Sequence, residues 1–195
     1  RPYIPPFSCY LPGVWSAGGN LITSRILAGG AGTQNEGLLF GGGTPSALSC
    51  TEEYDGSSWA SGGALSTARY SLGGAGTQNA ALGFGGETPS LVSCTEEYDG
   101  SSWSSGGALI TTLRLLGSAG TQNAALGFGG LTPSVLTCTE EYNGSSWTAG
   151  GALITGRYSL AGAGQQNSGL AFGGSPGNFS CTEEYNGTSW SAGGA

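Results

Sequence analysis

The chain has 195 residues, 40 of them glycine and only 9% charged, with no histidine and no methionine. Its net charge of −7 is the wrong sign for a nucleic-acid partner, whose phosphates require a basic footprint. No apolar run approaches the length of a membrane-spanning helix, and without histidine the usual general base and nitrogen metal ligand are missing, so no metal or other cofactor is expected.

Residues 1–19 read as a Pro-rich N-terminal arm. Within it, Cys9-Tyr10-Leu11-Pro12-Gly13-Val14-Trp15 has the pattern of an irregular outer strand. Residues 20–195 repeat one unit four times, and the stretch 62–103 shows its grammar. A first strand is expected around Ala68–Leu72, continued by Gly73-Gly74-Ala75-Gly76. Glycine inside a strand marks a place where another backbone comes close. Thr77-Gln78-Asn79 reads as a hairpin turn, with Asn79 able to take a positive φ. A second strand, Ala80–Phe84, ends at Gly85-Gly86. A loop from Glu87 to Ser90 leads to a β-branched third strand over Leu91–Tyr98. Asp99-Gly100 is a strong hairpin signal, and Trp103 opens a fourth strand. No window has the 3.6-residue apolar spacing of a helix.

Trp15, Trp59, Trp103, Trp147 and Trp190 stand 44, 44, 44 and 43 residues apart. Four short antiparallel strands per period of that length predict an all-β protein, a β-propeller of four-stranded blades. A stacked β-solenoid is the architectural rival, but its coils are usually shorter and lack repeated two-residue hairpins. Five outer-strand segments over four complete strand sets leave Trp15 and its arm without a home blade. An unpaired edge invites another chain. Cys9, Tyr10 and Trp15 are therefore the expected assembly residues, packing on a neighbouring subunit or domain. The alternative is a window on a longer array.

The units resemble the kelch repeat, which has an Arg in the first strand, a Gly-Gly pair ending the second, Tyr-Asp in the third and Trp in the fourth. Here these are Arg69, Gly85-Gly86, Tyr98-Asp99 and Trp103. They recur as Arg25, Gly41-Gly42, Tyr54-Asp55 and Trp59, and as Arg157, Gly173-Gly174, Tyr185 and Trp190. The third unit departs, with Leu113 in the Arg register and Arg114 one step on; Asn143 and Asn186 replace the Asp. The resemblance implies the propeller fold and leaves function open, because kelch propellers host enzymes, adhesins and scaffolds alike.

Most candidate residues repeat, which points to the scaffold. Each unit has one Arg and one Glu pair, Glu52-Glu53, Glu96-Glu97, Glu140-Glu141 and Glu183-Glu184. Neighbours in a strand face opposite ways, so one Glu of each pair is expected to point inward and bond the Arg. Calcium coordination is the lesser alternative, since the DxDxDG spacing of a calcium loop is missing. The tryptophans are read as blade-to-blade core, with sugar stacking as the other reading. Cys50, Cys94, Cys138 and Cys181 hold one register and are read as small buried hydrophobes; pairing between chains through Cys9 is the alternative. Asp55-Gly56-Ser57-Ser58-Trp59 resembles a sialidase Asp-box but departs by one residue between Asp and Gly, so it is read as a turn. Asn143, Asn178 and Asn186 open N-glycosylation sequons. Loop positions that differ between units, Gly43, Glu87, Leu131 and Ser175, are where a ligand would find specificity, with Glu87 and Leu131 foremost.

The near-identical segments 75–86 and 119–130 resemble kelch-type repeats of phage tail and virion-associated proteins and of bacterial surface adhesins. That resemblance implies a non-enzymatic structural or attachment protein at the cell exterior or virion surface. Its partners would be copies of itself, or adjacent virion or filament subunits. The alternative is a propeller lectin that binds surface glycans.

Overall fold

In the computed structural model, residues 16–177 and 179–193 are described. They form four antiparallel four-stranded sheets in a four-blade, propeller-like arrangement, and none of them is helical. Blade one is β1 (Gly29–Gly32), β2 (Gly37–Phe40), β3 (Thr51–Tyr54) and β4 (Trp59–Gly62). Blade two is β5 (Gly73–Thr77), β6 (Ala80–Phe84), β7 (Thr95–Tyr98) and β8 (Trp103–Ser105). Blade three is β9 (Gly117–Thr121), β10 (Ala124–Phe128), β11 (Thr139–Tyr142) and β12 (Trp147–Ala149). Blade four is β13 (Ala161–Gln165), β14 (Ser168–Phe172), β15 (Thr182–Tyr185) and β16 (Trp190–Ala192). Each strand pairs only with its sequence neighbours, so every blade is a simple meander.

The second strand and the onset of the fourth fall where the sequence puts them. The first strand does not: β5 is the glycine run itself, not 68–72. Ser71 has a φ of 59°, which no strand continues through, and Leu27, Leu115 and Ser159 do the same in their units. A strained backbone persists where its surroundings fix it. Here the Ser71 N–H donates to Leu27 O, Leu115 N–H to Ser71 O and Ser159 N–H to Leu115 O, at 2.7–2.9 Å. These bonds cross from blade to blade. The third strand also starts later than expected, at Thr95, because Leu91 turns back to bridge Glu87. In the first hairpin the positive φ falls on Gly76, at 104°, rather than on Asn79, and a Cβ there would lie 2.2 Å from Ala80 O.

The glycine of the inner strand serves close approach. A Cβ on Gly74 would lie 2.5 Å from Gly30 O of the preceding blade. The inner strands accordingly run side by side, β1 beside β5, β5 beside β9 and β9 beside β13. Between the described residues of β1 and β13 no equivalent neighbour relation exists.

Each blade has two unlike faces, set by alternation along the Thr-Glu-Glu-Tyr strand. Thr95 and Glu97, with Phe84 and Leu82 opposite them in register, look forward to the next blade. Glu96 and Tyr98, with Trp103 opposite Tyr98, look back to the preceding one. Phe40, Phe84, Phe128, Leu82 and Leu126 are fully buried in these inter-blade layers.

Candidate functional site

The chemistry-bearing side chains converge on the contact between blades. Trp103, Trp147 and Trp190 each reach back to the blade before. Their rings lie 4.7–4.9 Å from Phe40, Phe84 and Phe128. Each indole N–H donates to a threonine hydroxyl of that blade, Thr51, Thr95 or Thr139, at 2.9 Å. Tyr98, Tyr142 and Tyr185 back the indoles and donate their O–H groups to Glu53, Glu97 and Glu141 of the preceding blade. Burial, reinforced by the neighbouring carboxylate, pushes all three phenols up to about 12. Gln78, Gln122 and Gln166 complete the contact. Each side-chain amide donates to two carbonyls of the blade before, for Gln78 those of Gly37 and Tyr54, at 3.1 and 2.7 Å.

The first Glu of each pair works within its own unit. Arg25 pairs with Glu52 and Arg157 with Glu183, and Arg69 stands 3.3 Å from Glu96; all these side chains are buried. Each of these carboxylates also accepts backbone N–H groups from the incoming chain, for Glu52 those of Ile22 and Thr23. Arg25 and Arg157 also donate to the glycine carbonyl that ends the second strand and to the cysteine carbonyl that precedes the third, so one guanidinium closes the loop between them. Arg69 spans the same two strands through Gly83 O and Cys94 O. The third unit differs. Leu113 fills the Arg register, buried, and Glu140 accepts only the Ile110 and Thr111 N–H groups. Arg114 instead bonds Glu87 of the preceding blade at 2.5 Å, half-exposed.

Cys50, Cys94, Cys138 and Cys181 are free thiols, all half-buried. Burial pushes the Cys138 thiol up to about 11, with the Glu140 charge adding to it. Cys9, Tyr10 and Trp15 lie outside the described residues, as does Asn178. The segment that follows Trp15 is described: Gly18 abuts the Tyr54 hydroxyl and Gly19 abuts Ser57 O. On the next blade Gly62 and Gly63 abut Tyr98 and Ser101 in the same way.

The outer turns are Asx-turns. Asp55 Oδ1 and Asp99 Oδ1 accept the N–H groups of the next two serines at 2.8 Å; Asn143 Oδ1 accepts those of Ser145 and Ser146, and Asn186 Oδ1 those of Thr188 and Ser189, at 2.9–3.0 Å. For Asp99 the Ser101 hydroxyl and the Ser102 and Ser101 amides hold the carboxyl down to about 2; for Asp55 the Ser58 amide leads. Asn143 and Asn186 are exposed.

Gly43, Glu87, Leu131 and Ser175 take equivalent places, bridging Ile26, Tyr70, Arg114 and Tyr158. Beside Gly43, Thr44 and Pro45 lies a shallow hollow of about 240 Å³, lined on its other side by Ile26 and Tyr70. Among the described residues no three acidic, cysteine or histidine side chains group as metal ligands, and no helix is long and apolar enough to cross a membrane. No protein-family model matches the chain, and no curated protein is found similar to it.

Proposed function

We propose that this chain is a kelch-like, non-enzymatic structural or attachment protein, a subunit of a virion fibre or extracellular filament that assembles through its N-terminal arm. One observation carries the reading: at the three junctions between described blades the repeated polar groups are committed to neighbouring blades and loops. Three Arg–Glu pairs, three Tyr–Glu bonds, three Trp–Thr bonds and three glutamine clasps join the parts of the array to one another. Side chains used this way build a scaffold. The placement of Trp103, Trp147 and Trp190 between blades also favours scaffold over sugar platform.

Electron microscopy of the native assembly tests the reading directly. Ordered fibres or particle-bound spikes support it, and a lone soluble molecule with catalytic turnover refutes it. Removing residues 1–15 tests the arm. Assembly that persists unchanged in size after the deletion removes the arm from the account.

A further inference from the structure

The outer turn between the third and fourth strands has one shape in all four blades and two compositions. It is Asp55-Gly56 and Asp99-Gly100 in blades one and two, and Asn143-Gly144 and Asn186-Gly187 in blades three and four. The glycine takes a φ of 88–92° each time, a region that excludes most side chains. Asp55, Asp99, Asn143 and Asn186 are all exposed.

In the Asn turns an electrophile and a nucleophile are neighbours. Asn143 Oδ1 accepts the N–H groups of Ser145 and Ser146 at 3.0 and 2.9 Å, and their hydroxyls at 2.9 and 3.4 Å. Four donors on one carbonyl oxygen draw electrons from Cγ and are in place for negative charge on that oxygen, as in an oxyanion hole. Asn186 Oδ1 accepts two, the Thr188 and Ser189 N–H groups. The Gly144 and Gly187 N–H groups donate to no backbone carbonyl among the described residues, so no such bond must break before either nitrogen attacks. The other asparagines among the described residues, Asn20, Asn35, Asn79, Asn123 and Asn167, are each followed by a residue whose side chain crowds that nitrogen.

We infer that Asn143 and Asn186 are sites of spontaneous deamidation in the folded chain, Asn143 the faster, and that the product is the Asp turn already present in blades one and two. The Gly144 nitrogen attacks Asn143 Cγ. A C–N bond forms, the nitrogen loses its proton to solvent, and the side-chain amide takes a proton from water and leaves as ammonia. Water then opens the cyclic imide at Cγ, which restores the Asn143–Gly144 peptide bond and leaves a carboxylate at position 143. The sum is one water consumed and one ammonia released, with no oxidation. Opening at the backbone carbonyl would instead give isoaspartate and route the main chain through an extra methylene, which the Tyr142–Trp147 register does not accommodate. The Asp product fits, because Asp99 holds the same turn with both N–H bonds at 2.8 Å. Asp55 and Asp99 are themselves poor electrophiles, since the turn keeps them ionised well below the ordinary range. The inference is independent of the functional reading above.

The test is timed incubation of the whole chain at mildly alkaline pH, folded and in parallel unfolded in urea. Isoelectric focusing counts the added negative charges, and peptide mass spectrometry with an isoaspartate assay locates and identifies each product. The folded wild type is expected to gain two acidic forms in succession, first at Asn143 and then at Asn186, with aspartate as the main product. Asn143→Asp should gain one form and keep the wild-type melting curve, and Asn143→Asp with Asn186→Asp should gain none. Ser145→Ala removes the hydroxyl at 2.9 Å and should slow the step at Asn143 roughly two- to tenfold in the folded chain, leaving the unfolded rate unchanged. A folded chain that gains no charge while the unfolded chain deamidates at both sites overturns the inference, because the turn then protects. So do acidic forms that map to other asparagines, isoaspartate as the main folded product, or a Ser145→Ala rate equal to the wild type.

Discussion

Trp147 and Trp59 hold the same register in their units, yet their replacement by alanine is expected to have unequal consequences. Trp147 is 6% exposed, its ring 4.7 Å from Phe84 and 5.0 Å from Tyr142, and its N–H bonds Thr95 at 2.9 Å. A buried aromatic of this size removes roughly 150–250 Å² from water. At about 25 cal/mol per Å² that is an upper figure of roughly 4–6 kcal/mol. Partial collapse of the site offsets some of it, so Trp147→Ala should cost about 3–5 kcal/mol. Trp59 is half-buried and, among the described residues, has one aromatic neighbour, Tyr54, at 5.0 Å. Its replacement should cost about 1–2 kcal/mol, in proportion to the smaller area. Urea unfolding followed by far-UV circular dichroism, at protein concentrations below any association, measures both. Equal losses would refute the argument that the indole stabilises by reaching the preceding blade. Thr95→Val supplies a finer check: it leaves the Trp147 N–H buried without an acceptor and should cost about 1–2 kcal/mol.

Arg157→Ala strands the buried Glu183 carboxylate and should cost about 3–5 kcal/mol, whereas Arg114→Ala, which breaks a half-exposed pair with Glu87, should cost at most about 1 kcal/mol by the same unfolding assay. Asp99 is held down to about 2 against an ordinary value near 3.8, so its contribution to stability is present above pH 3.8 and is lost as pH falls towards 2. Asp99→Asn should flatten the loss of stability between pH 4 and about 2, and an unchanged acid profile would contradict the Asx-turn as its source. Tyr98, Tyr142 and Tyr185 are raised to about 12, so their contribution is full below pH 10 and is lost as pH rises through 12. Ultraviolet titration should show a late phenolate step that shrinks in Tyr142→Phe; a single step near pH 10 would refute the burial of these hydroxyls.

The blade was legible because its signals are local. Asp99-Gly100 encodes a turn within four residues, and the short apolar run Ala80–Phe84, bounded by the Thr77–Asn79 turn and Gly85-Gly86, reads as a strand without reference to anything distant. The Arg25–Glu52 and Arg157–Glu183 pairs were legible for a different reason: a charge repeated once per unit in a core-forming sequence needs a partner of opposite sign, and only the Glu pairs supply it. Two features misled. Ser71 lies in a stretch with strand character, and only the bond to Leu27 O in another blade holds it at positive φ. Leu91 has strand composition but is claimed by the Glu87 bridge. The clasp made by Gln78 had a signal, since glutamine recurs in every turn, but nothing in the turn itself reveals that its amide bonds the preceding blade.

By itself the sequence determined the period, the four strands of each blade, the turns between them and the pairing of Arg with Glu. These follow from φ preferences, alternation and charge, all of which act over a few residues or repeat visibly. Only the tertiary structure decided which Glu of each pair bonds within its own unit and that Glu53, Glu97 and Glu141 serve the next blade. It also placed the indoles of Trp103, Trp147 and Trp190 on a threonine 51 or 52 residues earlier. It decided, too, that Arg114 leaves its unit for Glu87. Those outcomes depend on how one sheet lies against another, and a repeated sequence states the surface of a blade without stating what is laid upon it.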